Sequence, residues 1–214
     1  MRIGVLISGR GSNLAALNAA CAEPGFHGRI ALVISNRPKA EGLRIAEAAG
    51  IPTLVVDHKD FASRETFDAE LDRALRSAGV ELVCNAGFMR ILSDGFVEKW
   101  RDRLLNIHPS LLPAFKGLHV HKRALDAGVK ITGCTVHFVR PEMDEGPIIA
   151  QAAVPVLPGD TPETLAARVL EAEHKLYPMA MKLVVEGRAR VTGERVTIDY
   201  DNASVDKPLY VPPL

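Results

Sequence analysis

The sequence predicts an α/β protein: an open, mostly parallel, twisted sheet with helices on both faces, continued toward the C terminus by a mixed or antiparallel extension. Three observations carry this reading. Short apolar runs such as Ile3 to Ile7 and Ile30 to Ile34 are nearly continuous, as strands buried on both faces are. Between them, apolar residues recur at spacings of three and four, the pattern of helices with one buried face. A glycine-rich turn, Gly9-Arg10-Gly11, joins the first run to the first helical stretch.

Along the chain, Ile3 to Ile7 ends at Ser8-Gly9, and Leu14, Leu17, Ala20 and Cys21 then mark a helix that Pro24-Gly25 breaks. Ile30 to Ile34 is a second strand, Gly42 to Ala49 a short helix closed by Gly50, and Thr53 to Val56 a third strand. Phe67, Leu71, Leu75 and Ala78 share one face of a helix opened by Ser63, with Glu65 and Thr66 behind it, and stopped by Gly79. Leu82 to Ala86 is a further strand. From Leu104 the style changes, because the strand-like segments 104–108, 131–139 and 148–156 have no long helix between the last two. Thr161 then caps a helix with Pro162 at its first position, running to Lys175, and Pro178 is expected to interrupt or kink the chain beyond it. Residues 188–214 read as a hairpin, with alternating Val191, Val196 and Ile198, and a loose proline-bearing tail. One catalytic domain over 1–187 is expected, with halves 1–100 and 101–187.

Composition narrows the function. Of 214 residues, 47% are hydrophobic and 24% charged, enough to bury a core. The 26 Lys and Arg balance 26 Asp and Glu, which argues against a polybasic nucleic-acid or membrane-surface binder. Three scattered cysteines without a CxxC argue against a disulfide framework or a structural zinc site and suggest a reducing compartment. No apolar stretch nears the 18 or so residues of a span. A cytoplasmic protein is expected.

In parallel sheets of this kind, chemistry sits beyond the carboxyl ends of the strands. There, Gly9-Arg10-Gly11-Ser12-Asn13 lies between a strand and a helix, where backbone N–H groups and the helix dipole favour a phosphate. The dinucleotide pattern fails, since Leu14 stands where a third glycine is needed and Ser35-Asn36-Arg37 where a carboxylate is. A P-loop Gly-Lys-Ser/Thr is also absent. The loop suits a single terminal phosphate, or is a tight turn with Ser12 or Asn13 as an ordinary helix cap.

Asn106 and His108 stand at i and i+2 in an apolar strand, so both point to one face. Asn106 offers an N–H to a developing oxyanion and His108 a charged donor or proton shuttle, which suits attack on a carbonyl. Asp144, in the turn Asp144-Glu145-Gly146-Pro147, would orient His108 and accept a proton through water. A buried Asn and His serving loop backbone groups would give the same spacing. His119 and His121 form an H-x-H pair with no third metal ligand in view; His137 and His174 suit structural roles, and His27 and His58 solvated loop edges.

Taken together, Leu6 to Asn13, Ala86 to Leu92, Leu105 to Pro113, Gly133 to Val139 and Asp144 to Pro147 resemble the phosphoribosylglycinamide formyltransferase family of purine biosynthesis, over residues 3 to about 187. The resemblance implies a Rossmann-like formyltransferase fold and transfer of the formyl group of the co-substrate 10-formyltetrahydrofolate to the amine of glycinamide ribonucleotide. It implies Asn106, His108 and Asp144 as catalytic residues, with Gly11, Ser12 and Asn13 on the substrate phosphate and Glu173 on its ribose or glycinamide end. Met89, Arg90, Ile91, Leu92, Val97, Leu104, Val139, Arg140 and Glu142 would form the folate site. Within it, Arg90 would face the glutamate tail, and main-chain groups of Arg90, Leu92 and 140–144 would read the pterin. Pro141 and Leu170 depart from the family pattern. The expected partners are these small molecules, with no metal, no nucleic acid and no membrane, as monomer or homodimer. Rival readings are formyl transfer to initiator methionyl-tRNA, which needs a second, basic domain; hydrolysis of the formyl donor; and a non-catalytic phosphate-binding module, which would not need Asn106, His108 and Asp144 together.

Overall fold

The computed structural model of the chain describes residues 1–199 and residue 211. It contains β1 (Arg2–Ile7), α1 (Ser12–Cys21), β2 (Arg29–Ser35), α2 (Glu41–Ala48), β3 (Thr53–Val55), α3 (Arg64–Ser77), β4 (Leu82–Asn85) and α4 (Asp94–Lys99). After these come β5 (Leu104–His108), α5 (Val120–Asp126), β6 (Ile131–Phe138), β7 (Ile148–Pro155), α6 (Pro162–Val185), β8 (Ala189–Thr192) and β9 (Arg195–Ile198). The main sheet has seven strands in the order β3-β2-β1-β4-β5-β6-β7. Pairing is parallel from β3 through β5 and antiparallel for β5–β6 and β6–β7, as the change of style after Leu104 predicts.

Side chains of the strands alternate between two cores. Ile3, Val5 and Ile7 of β1 join a cluster with Leu14 and Leu17 of α1 and with Leu165, Val169 and Tyr177 of α6. Leu6 points the other way, to Phe67, Leu71 and Leu75 of α3 and Phe96 and Trp100 at α4. Both faces are thus dry, which is why these strands read as continuous apolar runs. The α3 start is as expected: the Ser63 side chain accepts from the Thr66 backbone, and Thr66 returns the bond, a capping box.

Three expectations change. Two short helices, α4 and α5, occupy segments that carried no helical reading; with six and seven residues, they are too short to show a period. Helix α6 runs for 24 residues, past Lys175, where it was expected to end, and continues through Pro178 without interruption. Proline costs the His174 carbonyl its helical partner, but Tyr177, Ala180 and Met181 are buried on either side and hold the helix against the sheet. His58, expected to be solvated, is half-buried, with Nδ1 at 3.2 Å from both the side-chain amide and the carbonyl of Asn36. The 188–198 hairpin is present as β8–β9, with Ala189 buried in the first core. The proline-bearing tail, including Pro208, Pro212 and Pro213, lies outside the described residues.

Tyr177 fixes α6 to the sheet: its hydroxyl lies 3.0 Å from the Asn85 carbonyl and 3.3 Å from that of Leu105, in full burial. Tyr177→Phe leaves two strand-end carbonyls without this donor and should cost about 1 kcal/mol. Urea unfolding checks this, and an unchanged midpoint refutes the tether.

Candidate active site

The turn after β1 is shaped by a close approach. Gly11, at φ 78°, is the residue preceding α1, and a Cβ there would lie 2.5 Å from the Cα of Gly42 at the start of α2. Only glycine allows both this conformation and that contact. The Gly42 N–H donates to the Gly9 carbonyl at 3.0 Å and closes the loop from behind. No side chain caps α1, so neither Ser12 nor Asn13 is an N-cap; both lie in its first turn. The uncapped N–H groups of that turn are what an anion binds.

Asn13 is buried, and its side-chain N–H donates to Glu173 Oε2 at 2.8 Å across 160 positions of sequence. Asn13 Oδ1 is buried without a partner. Burial raises the Glu173 carboxyl above the ordinary glutamate value, and the Asn13 bond offsets only part of the effect. The two predicted substrate residues therefore meet, one from each end of the chain.

Strand β5 delivers Asn106 and His108, and the antiparallel register sets them beside β6: Asn106 faces His137 and His108 faces Thr135. His108 Nε2 donates to the Phe115 carbonyl at 3.0 Å, and Nδ1 lies 3.4 Å from Asp144 Oδ2. Both ring nitrogens face oxygen acceptors. Asp144, at φ 57°, also accepts from the Gly117 N–H at 2.8 Å. So the predicted triad is assembled, with His108 and Asp144 both mostly buried.

His137, read from sequence as structural, belongs to this cluster. Its Nδ1 is 2.9 Å from the Phe138 carbonyl, which can only accept, so Nδ1 carries the proton. Burial lowers its pKa and keeps the ring neutral, against smaller opposing effects of Phe138 and Asp144. Nε2 is then a bare acceptor, and it accepts a hydrogen bond from the Asn106 amide N–H at 3.3 Å. This orients Asn106 with its remaining N–H free for an oxyanion. His121 has its pKa lowered by burial and then by nearby His108, and its Nδ1 is buried without a partner.

Sequence reasoning also missed the scaffold of the 109–117 loop. Thr135 Oγ1 donates to the Ser110 carbonyl at 2.7 Å and accepts from the Leu112 N–H at 3.0 Å and from Gln151 Nε2 at 2.9 Å. Gln151 reaches the Leu112 carbonyl as well, at 2.9 Å. The signal existed as the i+2 partners of a strand, but only the β5–β6–β7 register turns it into a contact.

Among the proposed folate residues, Met89 and Ile91 are 59% and 61% exposed, an uncommon state for such side chains, and Arg90 and Glu142 are exposed with them. Behind this rim, Leu92, Val97 and Leu104 are buried in the second core with Val139 packed against it. The Arg140 side chain does not face the rim. It is buried in ion pairs with Asp102 at 2.7 Å and Glu194 at 2.8 Å. The three thiols are free, and burial pushes Cys21 up to about 11 and Cys84 and Cys134 up to about 12, so none is a nucleophile at neutral pH. No group of three His, Cys, Asp or Glu suited to a metal occurs among the described residues, and no helix among them is long and apolar enough to cross a membrane.

The chain is similar to known proteins in sequence and fold. The chain is 56% identical over 191 residues to the trifunctional purine biosynthetic protein adenosine-3 of Gallus gallus, covering 89% of this chain and 19% of that one. It thus spans about a fifth of that relative. It is 45% identical over 199 residues to the phosphoribosylglycinamide formyltransferase of Escherichia coli strain K12, covering 93% and 94% of the two chains. The crystal structure of glycinamide ribonucleotide transformylase 1 from Symbiobacterium toebii superposes with a TM-score of 0.90 at 52% identity, over 92% of this chain and 93% of that one. The family model described as formyl transferase matches residues 1–181, a span that holds Asn106, His108, Asp144, the Gly11 turn and Glu173 alike, and the chain belongs to the formyl transferase family.

Proposed function

We propose that this chain transfers the formyl group of 10-formyltetrahydrofolate to the amine of glycinamide ribonucleotide, giving formylglycinamide ribonucleotide and tetrahydrofolate in purine biosynthesis. The observation that carries the reading is the convergence of Asn106, His108 and Asp144 at the end of β5, separated only by β4 from β1 and the uncapped N-terminus of α1, whose Asn13 pairs with a buried carboxylate. A phosphate module needs the helix but not the triad.

In this reading the phosphate sits on the first turn of α1, held by Gly11, Ser12 and Asn13, and Glu173 takes the ribose or glycinamide end. The apolar rim of Met89 and Ile91, backed by Leu92, Val97, Leu104 and Val139, suits a flat aromatic co-substrate, with Arg90 on its carboxylates and main-chain groups of 140–144, beside Arg140 and Glu142, on its polar edge. The glycyl amine attacks the formyl carbon, a C–N bond forms and the carbonyl oxygen becomes an oxyanion. Asn106 donates its free N–H to that oxygen, and His108 donates Nε2–H, which the Phe115 carbonyl holds otherwise. Asp144, 3.4 Å from His108 Nδ1, orients the ring and accepts, through water, the proton that the amine loses and the leaving folate nitrogen gains. Free thiols, two of them buried, fit a reducing cytoplasm.

The direct test measures tetrahydrofolate release with glycinamide ribonucleotide, initiator methionyl-tRNA or water as acceptor. Turnover with the ribonucleotide is expected, and turnover confined to the other two overturns the assignment. His108→Ala and Asp144→Asn should each lower kcat by about 10²-fold or more, the double variant losing little beyond the worse single. Multiplying losses would separate the two residues.

Asn13→Ala should raise the ribonucleotide KM about tenfold and spare the folate, since the lost contacts bind ground and transition states alike. Arg90→Ala should do the reverse, through a lost ion pair. Identical KM shifts in both variants would contradict the division of the site.

Glu173 gives the pH test. Folding raises its pKa above the ordinary 4.5, so the folded chain holds the proton where the unfolded chain does not, and stability is lost as pH rises from 4.5 through the raised value. Glu173→Gln removes this loss. Its Tm advantage over the parent should grow across that interval, and a pH-independent difference would exclude a buried, proton-binding carboxyl.

A further inference from the structure

We propose that Glu194, at the tip of the β8–β9 hairpin, is a positioning residue for Asp144, acting through Arg140. The proposal rests on the catalytic reading of Asp144 and assigns a task to a hairpin that lies beyond the 1–181 match.

The segment from Arg140 to Pro147 joins β6 to β7 and carries Asp144 near its far end. Its base is pinned by backbone bonds, from the Val139 N–H to the Leu104 carbonyl and from the Phe138 N–H to the Pro147 carbonyl, both 2.9 Å. Beyond the base, Asp144 stands in a left-handed conformation at φ 57°, which a non-glycine residue keeps only where its surroundings hold it. On one side the hold is visible: Gly117 donates to Asp144, and Lys116 pairs with Glu145 at 2.7 Å. On the other side it is Arg140, whose side chain is only 5% exposed. Its guanidinium spends Nε on Glu194 Oε2, Nη2 on Asp102 Oδ1 and Nη1 on the Val139 carbonyl.

Glu194 is itself fixed. Its other oxygen accepts from Arg101 at 2.6 Å, and Arg101 pairs with Glu98 of α4 at 3.0 Å. The hairpin beneath it is anchored by buried Ala189, with Val191, Val196 and Ile198 packed on the first core. A continuous path of ion pairs therefore runs from α4 through the hairpin tip to the first residue of the loop. Asp102, the other partner of Arg140, is also left-handed, at φ 57°. A buried guanidinium that loses Glu194 must find water or another acceptor, and the nearest way is to swing outward and take the loop with it.

The test compares Glu194→Ala, Glu194→Gln and Val191→Ala with the parent chain, by steady-state kinetics and by amide hydrogen exchange of 141–145 without substrates. Glu194→Ala should lower kcat on the order of tenfold, below the ~10²-fold of a full 1 Å misplacement, with the ribonucleotide KM unchanged and loop exchange faster. Glu194→Gln, which still accepts from Arg140, should recover most of kcat. Val191→Ala should lower Tm yet keep kcat and loop exchange. Parental kcat and loop exchange in Glu194→Ala overturn the proposal, as does an equal kcat loss in Val191→Ala at matched Tm. A parent chain without formyl transfer counts against the function instead, and loop exchange then decides the brace by itself.

Discussion

The antiparallel pairing of β5 with β6 is the contact on which the rest of the site depends. Up to β5 every strand of the sheet runs one way, and its carboxyl ends open onto loops at one edge. Reversing β6 brings a strand interior to that edge, so that Asn106 meets His137 and His108 meets Thr135 within the ladder itself. Catalytic groups on a hydrogen-bonded ladder are held more tightly than groups on a loop. The loops then add what a ladder cannot: the Phe115 carbonyl, the Gly117 N–H and the carboxylate of Asp144.

The cluster is a set of imidazoles distinguished by burial and by the partners of their ring nitrogens. His137 and His121 are pushed toward neutrality, His137 as an acceptor that aims Asn106. His108 differs because both its nitrogens meet acceptors. Two histidines from adjacent strands thus differ in their bonding, one accepting from an amide and the other donating to a backbone carbonyl beside a carboxylate, without a metal ligand set among the described residues.

Much of the frame was legible because it is written in local patterns. The apolar runs of β1 and β2, the Ser63 and Thr161 caps and the i, i+2 spacing of Asn106 and His108 each depend on neighbours in sequence. His137 was not legible as a site residue, because nothing near it shows that it faces Asn106; only the register does. Thr135 and Gln151 were hidden for the same reason. The resemblance assigns main-chain groups of 140–144 to the folate edge and is silent on the Arg140 side chain, which pairs with Asp102 and Glu194, residues 38 and 54 positions away. Pro178 misled in the opposite direction: a local rule predicted a break, and the burial of Tyr177, Ala180 and Met181 outweighed it.

The bond between Asn13 and Glu173 spans 160 positions, so this end of the candidate site is closed by the first helix and the last of the described residues. A chain emerging from the ribosome exposes the α1 turn early, yet that turn lacks its carboxylate until α6 has been made and docked. The intervening sheet can be complete while this end of the site is still open. Once the ends meet, a ligand gripping both acts as a removable cross-link between the two termini of the domain, and its occupancy stabilises the whole fold by mass action.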